Sequence, residues 1–229
     1  MVRQIGSEIW AIDHPDFKLA PGVRPGTRTT LVRLSDGGLW MHSPGPLDED
    51  RVRDIEALGP VRFIVAPNIF HHLFLAENLA AWPTAELHLA PGLEAKRPDL
   101  KATSNLGSEA VTGWAADLDQ CLIEGAPRLS EVVFRHRSSR TLILTDLAFN
   151  VGRPENLGAR LFFGLTGVLG RFSTSRLIRL LIRDRAAAQR SFEQVLSWDF
   201  DQVVVSHGEI LQTDGPRLLR EALTPVGPR

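Results

Sequence analysis

The chain has 229 residues, 43% of them hydrophobic, which suffices for a sizeable core and excludes general disorder. Its formal net charge is −1, so it has no electrostatic footprint for nucleic acid, and its single cysteine, Cys121, excludes an internal disulfide and a cysteine-rich zinc site. The first residues lack the apolar stretch of a signal peptide, and no window reaches the roughly 18 apolar residues of a spanning helix, so a cytoplasmic protein with no membrane span is expected.

In chain order, Glu8 to Asp13 and Thr27 to Leu34 read as strands, joined by a loop rich in proline and glycine. Ser35-Asp-Gly-Gly is a hairpin signal, so Leu39 to His42 should return antiparallel. Ser43-Pro-Gly-Pro then breaks the sheet. Asp48 to Leu58 reads as a helix with acidic residues in its first turn and Gly59-Pro60 as its stop. Val61 to Ala66 is a short apolar run, a buried strand that Pro67 ends because it has no N–H for a ladder. Asn68 is placed to cap a helix over Leu73 to Trp82, which would put His71 and His72 where a strand hands over to a helix. Glu86 to Ala90, Gln120 to Glu124, Glu131 to His136 and Thr141 to Thr145 are further strands, the last two joined by an Arg-Ser-Ser-Arg hairpin. Pro91 to Leu106 has no clear order.

Asn150 to Leu196 interrupts the strand pattern. Gly164, Gly167 and Gly170 lie three apart, and Ser173 is placed to cap a helix running to about Ser197. Arg176, Arg179 and Arg183 share a face of that helix, either a solvated face or a lid that meets an acidic substrate or a membrane surface. Asp201 to Ser206 is a β-branched run ending in Ser-His-Gly, Thr213 to Leu223 a closing helix, and Pro225 to Arg229 a frayed tail. There is no sequence repeat.

Three distant strands thus end in a potential metal ligand: Ala66 before His71 and His72, Thr145 before Asp146, and Ser206 before His207. If those ends share one edge, two or three imidazoles and a carboxylate converge, a ligand set that zinc and non-haem iron accept. No Gly-x-Ser-x-Gly elbow is present, which weakens the main rival, a nucleophilic serine enzyme, and there is no phosphate-cradling Gly-x-x-x-x-Gly-Lys loop either.

A strand followed by histidines, a later strand ending in aspartate and a late strand ending in His-Gly resembles the metallo-β-lactamase-like superfamily. Ser-Asp-Gly-Gly-Leu-Trp-Met-His-Ser-Pro, Ala-Pro-Asn-x-x-His-His and Leu-Thr-Asp-Leu-Ala-Phe-Asn are similar to an uncharacterised branch of it. The resemblance spans about Gly6 to Leu211 and implies a four-layer αββα sandwich, with the site along one edge of two mainly antiparallel sheets.

The family's His-x-His-x-Asp-His motif, laid on this chain, falls on Pro67 to His72. Pro67 and Ile69 replace the first two histidines, His71 takes the aspartate position and His72 keeps its type. A further family histidine falls on Ala126, while Asp146 and His207 match the bridging aspartate and the last histidine. The resemblance therefore implies at most one divalent ion, zinc first, then iron or manganese, held by His72, Asp146 and His207 with His71 as a fourth ligand.

The expectation is a single domain over residues 1–229 with a helical insertion at about 150–196, folded over the site as a lid. Asp146 would also orient the attacking water, while His42 and Asn68 would hold a ligand or the substrate in place. The function expected is a metal-dependent hydrolase acting on a small ester, thioester, amide or phosphoester. The alternative is a binding or scaffold protein that keeps the fold, binds no metal and has lost catalysis. A homodimer is left open. His14, His88 and His136 read as structural and Cys121 as a small core residue.

Overall fold

The computed structural model describes residues 1–224. Its first strands form an antiparallel meander: β1 (Val2–Gly6), β2 (Ile9–His14), β3 (Thr27–Arg33) and β4 (Leu39–His42). The turn into β4 needs its glycines, for Gly37 has φ +87° and Gly38 N donates to Asp36 Oδ1 at 2.9 Å. Helix α1 (Glu49–Glu56), capped by the Asp48 carboxylate on Arg51 N, then carries the chain back to β5 (Val61–Ala66), parallel to β4. Helix α2 (Leu75–Ala81) leads to β6 (Glu86–Leu89), and α3 (Leu93–Lys96) to the short β7 (Ser104–Asn105), both again parallel. The seven strands lie in sequence order.

The second sheet runs β13-β10-β9-β8, from β8 (Leu118–Leu122), β9 (Val132–His136) and β10 (Thr141–Ile143) to β13 (Gln202–Val204). Between β10 and β13 come β11 (Phe149–Val151), α4 (Leu157–Thr166), β12 (Arg171–Ser173), α5 (Arg176–Leu181) and α6 (Arg185–Leu196), and α7 (Gly215–Leu223) follows β13. Antiparallel ladders outnumber parallel ones across the two sheets, as expected, but both sheets are mixed. The first sheet is antiparallel up to β4 and parallel beyond it, because α1 and α2 are crossovers, which return the chain in the same direction.

Alternation along the strands shows the layers. Trp40, Phe63 and Val65 point between the sheets to meet Val132, Phe134 and Ile143. Their neighbours Leu39, Met41, Ile64 and Ala66 point the other way, under Ile55 of α1 and Leu75 of α2. On the second sheet Val133, Leu142 and Val203 turn outward against Phe163, Ala188, Phe192 and Leu219 of the later helices. A strand buried on both faces reads as an unbroken apolar run, as Phe63 to Ala66 does after the exposed Arg62. The result is the αββα sandwich.

The helix expected from Ser173 to Ser197 is broken. Ile182 takes an extended conformation, Ser175 caps α5 on Ile178 N, and Asp184 caps α6 on Ala187 N. Arg183 therefore lies between two helices rather than on one stripe with Arg176 and Arg179. The tail from Pro225 to Arg229 lies outside the described residues.

Candidate metal centre

Asn68 does not cap α2, which starts at Leu75 with no side-chain cap. It is fully buried, and its Oδ1 accepts from Phe70 N at 2.9 Å and His71 N at 3.0 Å, holding the residues after β5 in a tight turn. The two histidines sit in that turn, three or more residues before the helix. Consecutive side chains there diverge. His71 points into the sandwich edge, and its Nδ1 lies 2.6 Å from Ser43 Oγ, just past β4. His72 turns to Arg97, whose guanidinium bonds the His72 carbonyl at 2.6 Å and lies 3.4 Å from its Nδ1.

Past β10, Asp146 is buried at 7% exposure. Past β13, Arg28 donates to Val205 O at 2.5 Å and to Gly208 O at 2.8 Å, and so clamps the backbone on both sides of His207. Gly208 has φ +99°, and a Cβ there would lie 2.1 Å from Asn150 O, so the position requires glycine. The His207 ring stacks on Phe149 at 5.5 Å, and its Nδ1 lies 2.7 Å from Gly26 O. A carbonyl only accepts, so His207 carries its proton on Nδ1 and presents Nε2.

The structure brings three side chains together. Ligand atoms of His71, Asp146 and His207 lie within 4.8 Å of one another, and no other such cluster exists among the described residues. His71 Nε2 is 3.3 Å from Asp146 Oδ2 and His207 Nε2 is 3.5 Å from Asp146 Oδ1. The geometry groups His71 with Asp146 and His207, while His72, expected beside them, stays apart at the cavity rim, its pKa lowered by burial and by Lys96 and Arg97.

Asp146 has its own supports. Asn68 Nδ2 donates to its Oδ2 at 2.8 Å, with Thr145 Oγ1 and Glu131 Oε2 at 3.1 and 3.3 Å. Glu131 is fully buried, and its two oxygens accept from Thr145 N and Asp146 N, each at 2.8 Å. Burial opposes ionisation of Asp146, but the charges and hydrogen bonds of His71 and His207 outweigh it and hold its pKa well below the usual carboxylate range. Burial, and then the charge of Asp146, push Glu131 the other way, upward.

The side chain of His42, expected to hold a ligand or the substrate in place, makes no hydrogen bond to another described residue. It is fully buried, its ring stacks on Trp40 and meets Phe134 edge-on, and neither ring nitrogen has a partner among the described residues. Burial, with the nearby His71, holds its pKa well below the ordinary value. His14, His88 and His136 are buried against Thr29, Ser104 and Ser139. Ser43, Gly26 and Glu131 were missed by sequence reasoning. Glu131 alone gave a signal there, as a carboxylate directly before the apolar run Val132 to Phe134.

The fold implies a metal here, and the donors fit one. Four ligands at about 2.0–2.1 Å in a tetrahedron stand roughly 3.3–3.4 Å apart, and the two histidine–aspartate separations, each to a different Asp146 oxygen, are of that size. Both imidazoles have Nδ1 engaged elsewhere, the arrangement that orients a ligating histidine. The three residues line a cavity of ≈ 380 Å³ whose other walls include Phe17, Phe149, Phe163, Ile178 and Leu181.

The metallo-beta-lactamase from Pontibacter korlensis is similar in structure, with TM-score 0.66 and 14% identity over 99% of this chain and 98% of that one. The metallo-beta-lactamase from Hirschia baltica is similar at TM-score 0.63 and 12% identity, over 100% and 98% of the two chains. A metal-soaked flavodiiron core from Synechocystis sp. PCC6803 is similar at TM-score 0.63 and 12% identity, over 99% of this chain and 60% of that one. At such identities the likeness carries the fold alone. No curated protein matches in sequence. A family model described as a domain of unknown function, DUF4336, matches residues 7–157. That is well over half of the sequence, and the chain therefore belongs to the DUF4336 family, built on the metallo-β-lactamase fold.

Proposed function

We propose that this protein is a metal-dependent hydrolase with a reduced, single-ion site, acting on an ester, thioester, amide or phosphoester whose body is apolar. The observation that supports this most is the convergence of His71, Asp146 and His207 at one end of an apolar cavity. These three would hold the ion, zinc first by donor set, then iron or manganese. One ion rather than two follows from Pro67, Ile69 and Ala126, which have no donor side chains where the family's other ligands fall. A bound divalent ion supplies a Lewis acid and lowers the pKa of water.

The chain's own residues do the rest. Gly26 O and Ser43 Oγ fix the two rings so that each Nε2 faces Asp146. Asp146, ionised at neutral pH, can accept a proton from an attacking water, while Asn68 fixes its other oxygen. The aromatic and aliphatic walls keep bulk water out and receive the apolar part of the substrate.

The non-catalytic reading has one observation in its favour: Asp146 already lies at ion-pair distance from both histidines, so the cluster can satisfy itself. Elemental analysis of protein purified without a metal-binding tag separates the two. One equivalent of metal is expected, lost in His71→Ala and His207→Ala and kept in His72→Ala. Two equivalents refute the single-ion site. No metal, with His207→Ala behaving as the parent, refutes the hydrolase and leaves a binding protein.

A further inference from the structure

The outer face of α4 and α5 is an apolar surface that nothing among the described residues covers. Helix α4 is apolar but for Arg160 and the buried Thr166. Its inner side buries Ala159, Phe163 and Thr166, while Leu157, Leu161 and Leu165, spaced i, i+4, i+8, are 74%, 64% and 67% exposed. A helix this apolar is normally buried. Leu177 and Leu180 of α5 and Leu169 are exposed as well, and Arg176 Nη1 bonds Leu165 O, tying the two helices together. The face is fixed rather than loose. Asn156 caps α4 on Ala159 N, and a Cβ on Gly158 would lie 1.9 Å from Gly22 O, so the helix start packs on the backbone of the β2–β3 loop. Scattered exposed leucines need no explanation, but a contiguous row does.

Charge says what covers it. Residues 156–183 hold five arginines, Arg160, Arg171, Arg176, Arg179 and Arg183, and no acidic residue, in a chain of net charge −1. Among the described residues none of the five is within ion-pair distance of a carboxylate, although most arginines elsewhere on strands and helices are. Arg171 bonds Gly167 O, and burial with the charges of Arg171 and Arg176 lowers the pKa of Arg179.

We propose that this arginine-fringed leucine face docks the protein on the surface of an anionic lipid bilayer. The leucines enter the boundary between headgroups and acyl chains, and the guanidinium groups take the lipid phosphates, which they fit as bidentate donors. No helix is long and apolar enough to cross a membrane, so the contact lies on the surface. The cavity mouth, rimmed by exposed Leu19, Phe70, Leu73 and Leu177, adjoins the same face and would open toward the lipid. A second copy fits less well, because a two-fold contact sets the arginine fringe against itself. The surface stands whether or not an ion binds at His71, Asp146 and His207.

Vesicle flotation of the full chain tests this. Binding is expected to phosphatidylcholine vesicles containing phosphatidylglycerol, not to phosphatidylcholine alone, and it weakens as salt rises. The double variant Leu161→Gln/Leu165→Gln should lose at least about tenfold in vesicle affinity. Its thermal midpoint and metal content should equal the parent's, since neither side chain lines the cavity. No flotation with either lipid overturns the proposal. So does a double variant that floats as the parent does, which reduces the contact to charge alone. A dimer in sedimentation equilibrium that the double variant dissolves, without lipid binding, assigns the face to a second copy instead.

Discussion

Replacing Asn68 by alanine removes the side chain that joins the turn carrying His71 to the carboxylate of Asp146. Three good hydrogen bonds go: Nδ2 to Asp146 Oδ2 at 2.8 Å, and Oδ1 from Phe70 N and His71 N at 2.9 and 3.0 Å. A bond to a charged group contributes about 1.5–3 kcal/mol and a neutral one about 0.5–1.5 kcal/mol, so the loss should be about 3–5 kcal/mol, the residue being fully buried. With a urea slope of about 2–3 kcal/mol/M, the unfolding midpoint should fall by about 1–2 M. Metal affinity should fall about 10–100-fold, the usual cost of losing a partner behind a ligand. Asn68→Asp keeps the acceptor for the turn but sets a third carboxylate beside Asp146 and Glu131. It should be as damaging at neutral pH and recover on acidification, when a protonated carboxyl can donate again. Urea titrations at two pH values with metal competition assays measure all three. A midpoint shift under about 0.4 M with unchanged affinity would refute Asn68 as the tie between turn and aspartate.

Gly208→Ala must either displace Asn150 O or strain φ +99°, so it should cost about 2–5 kcal/mol in thermal unfolding and weaken metal binding through His207. Glu131→Gln should cost about 2 kcal/mol despite its shape, because both Glu131 oxygens accept backbone N–H groups and an amide sets a donor against one of them. His14, whose pKa burial lowers to about 4, gives a pH dependence. Its contribution is fully present above the unfolded value of about 6.5 and is lost as pH falls toward 4, because only the unfolded chain takes the proton; the loss is about 3 kcal/mol. His14→Gln, which can still donate to Thr29, should flatten that part of the stability profile measured by urea unfolding from pH 4 to 7.

Much of the sandwich was legible because its strands are buried on both faces. Val61 to Ala66 could be read as a strand from apolar content alone, and Ser35-Asp-Gly-Gly fixed one antiparallel return through its glycine at φ +87°. Strand direction beyond β4 was less legible, since it depends on where α1 and α2 set the chain down rather than on any residue within β5 or β6. The break between α5 and α6 escaped notice because Leu-Ile-Arg-Asp has no proline or glycine. The extended backbone at Ile182 is held from outside, by Arg183 N and Asp184 N donating to Gly125 O at 2.8 and 3.1 Å.

The same distinction explains why His71 rather than His72 lies beside Asp146 and His207. That one of the pair would point inward followed from their adjacency, since neighbours in a turn or helix do not share a face. Which one does depends on Asn68 Oδ1 binding the N–H groups of Phe70 and His71, and on Ser43 waiting 2.6 Å from the His71 ring. Ser43 reaches that place with φ +55°, at the end of a different strand, while Gly26 offers His207 a carbonyl from a loop that is 181 residues away in sequence. Metal-ligand residue types stand out in a sequence because few side chains can do their work. The groups that aim them here are a hydroxyl, an amide and a main-chain carbonyl, types so common that only their position distinguishes them. That position exists only once both sheets are in place.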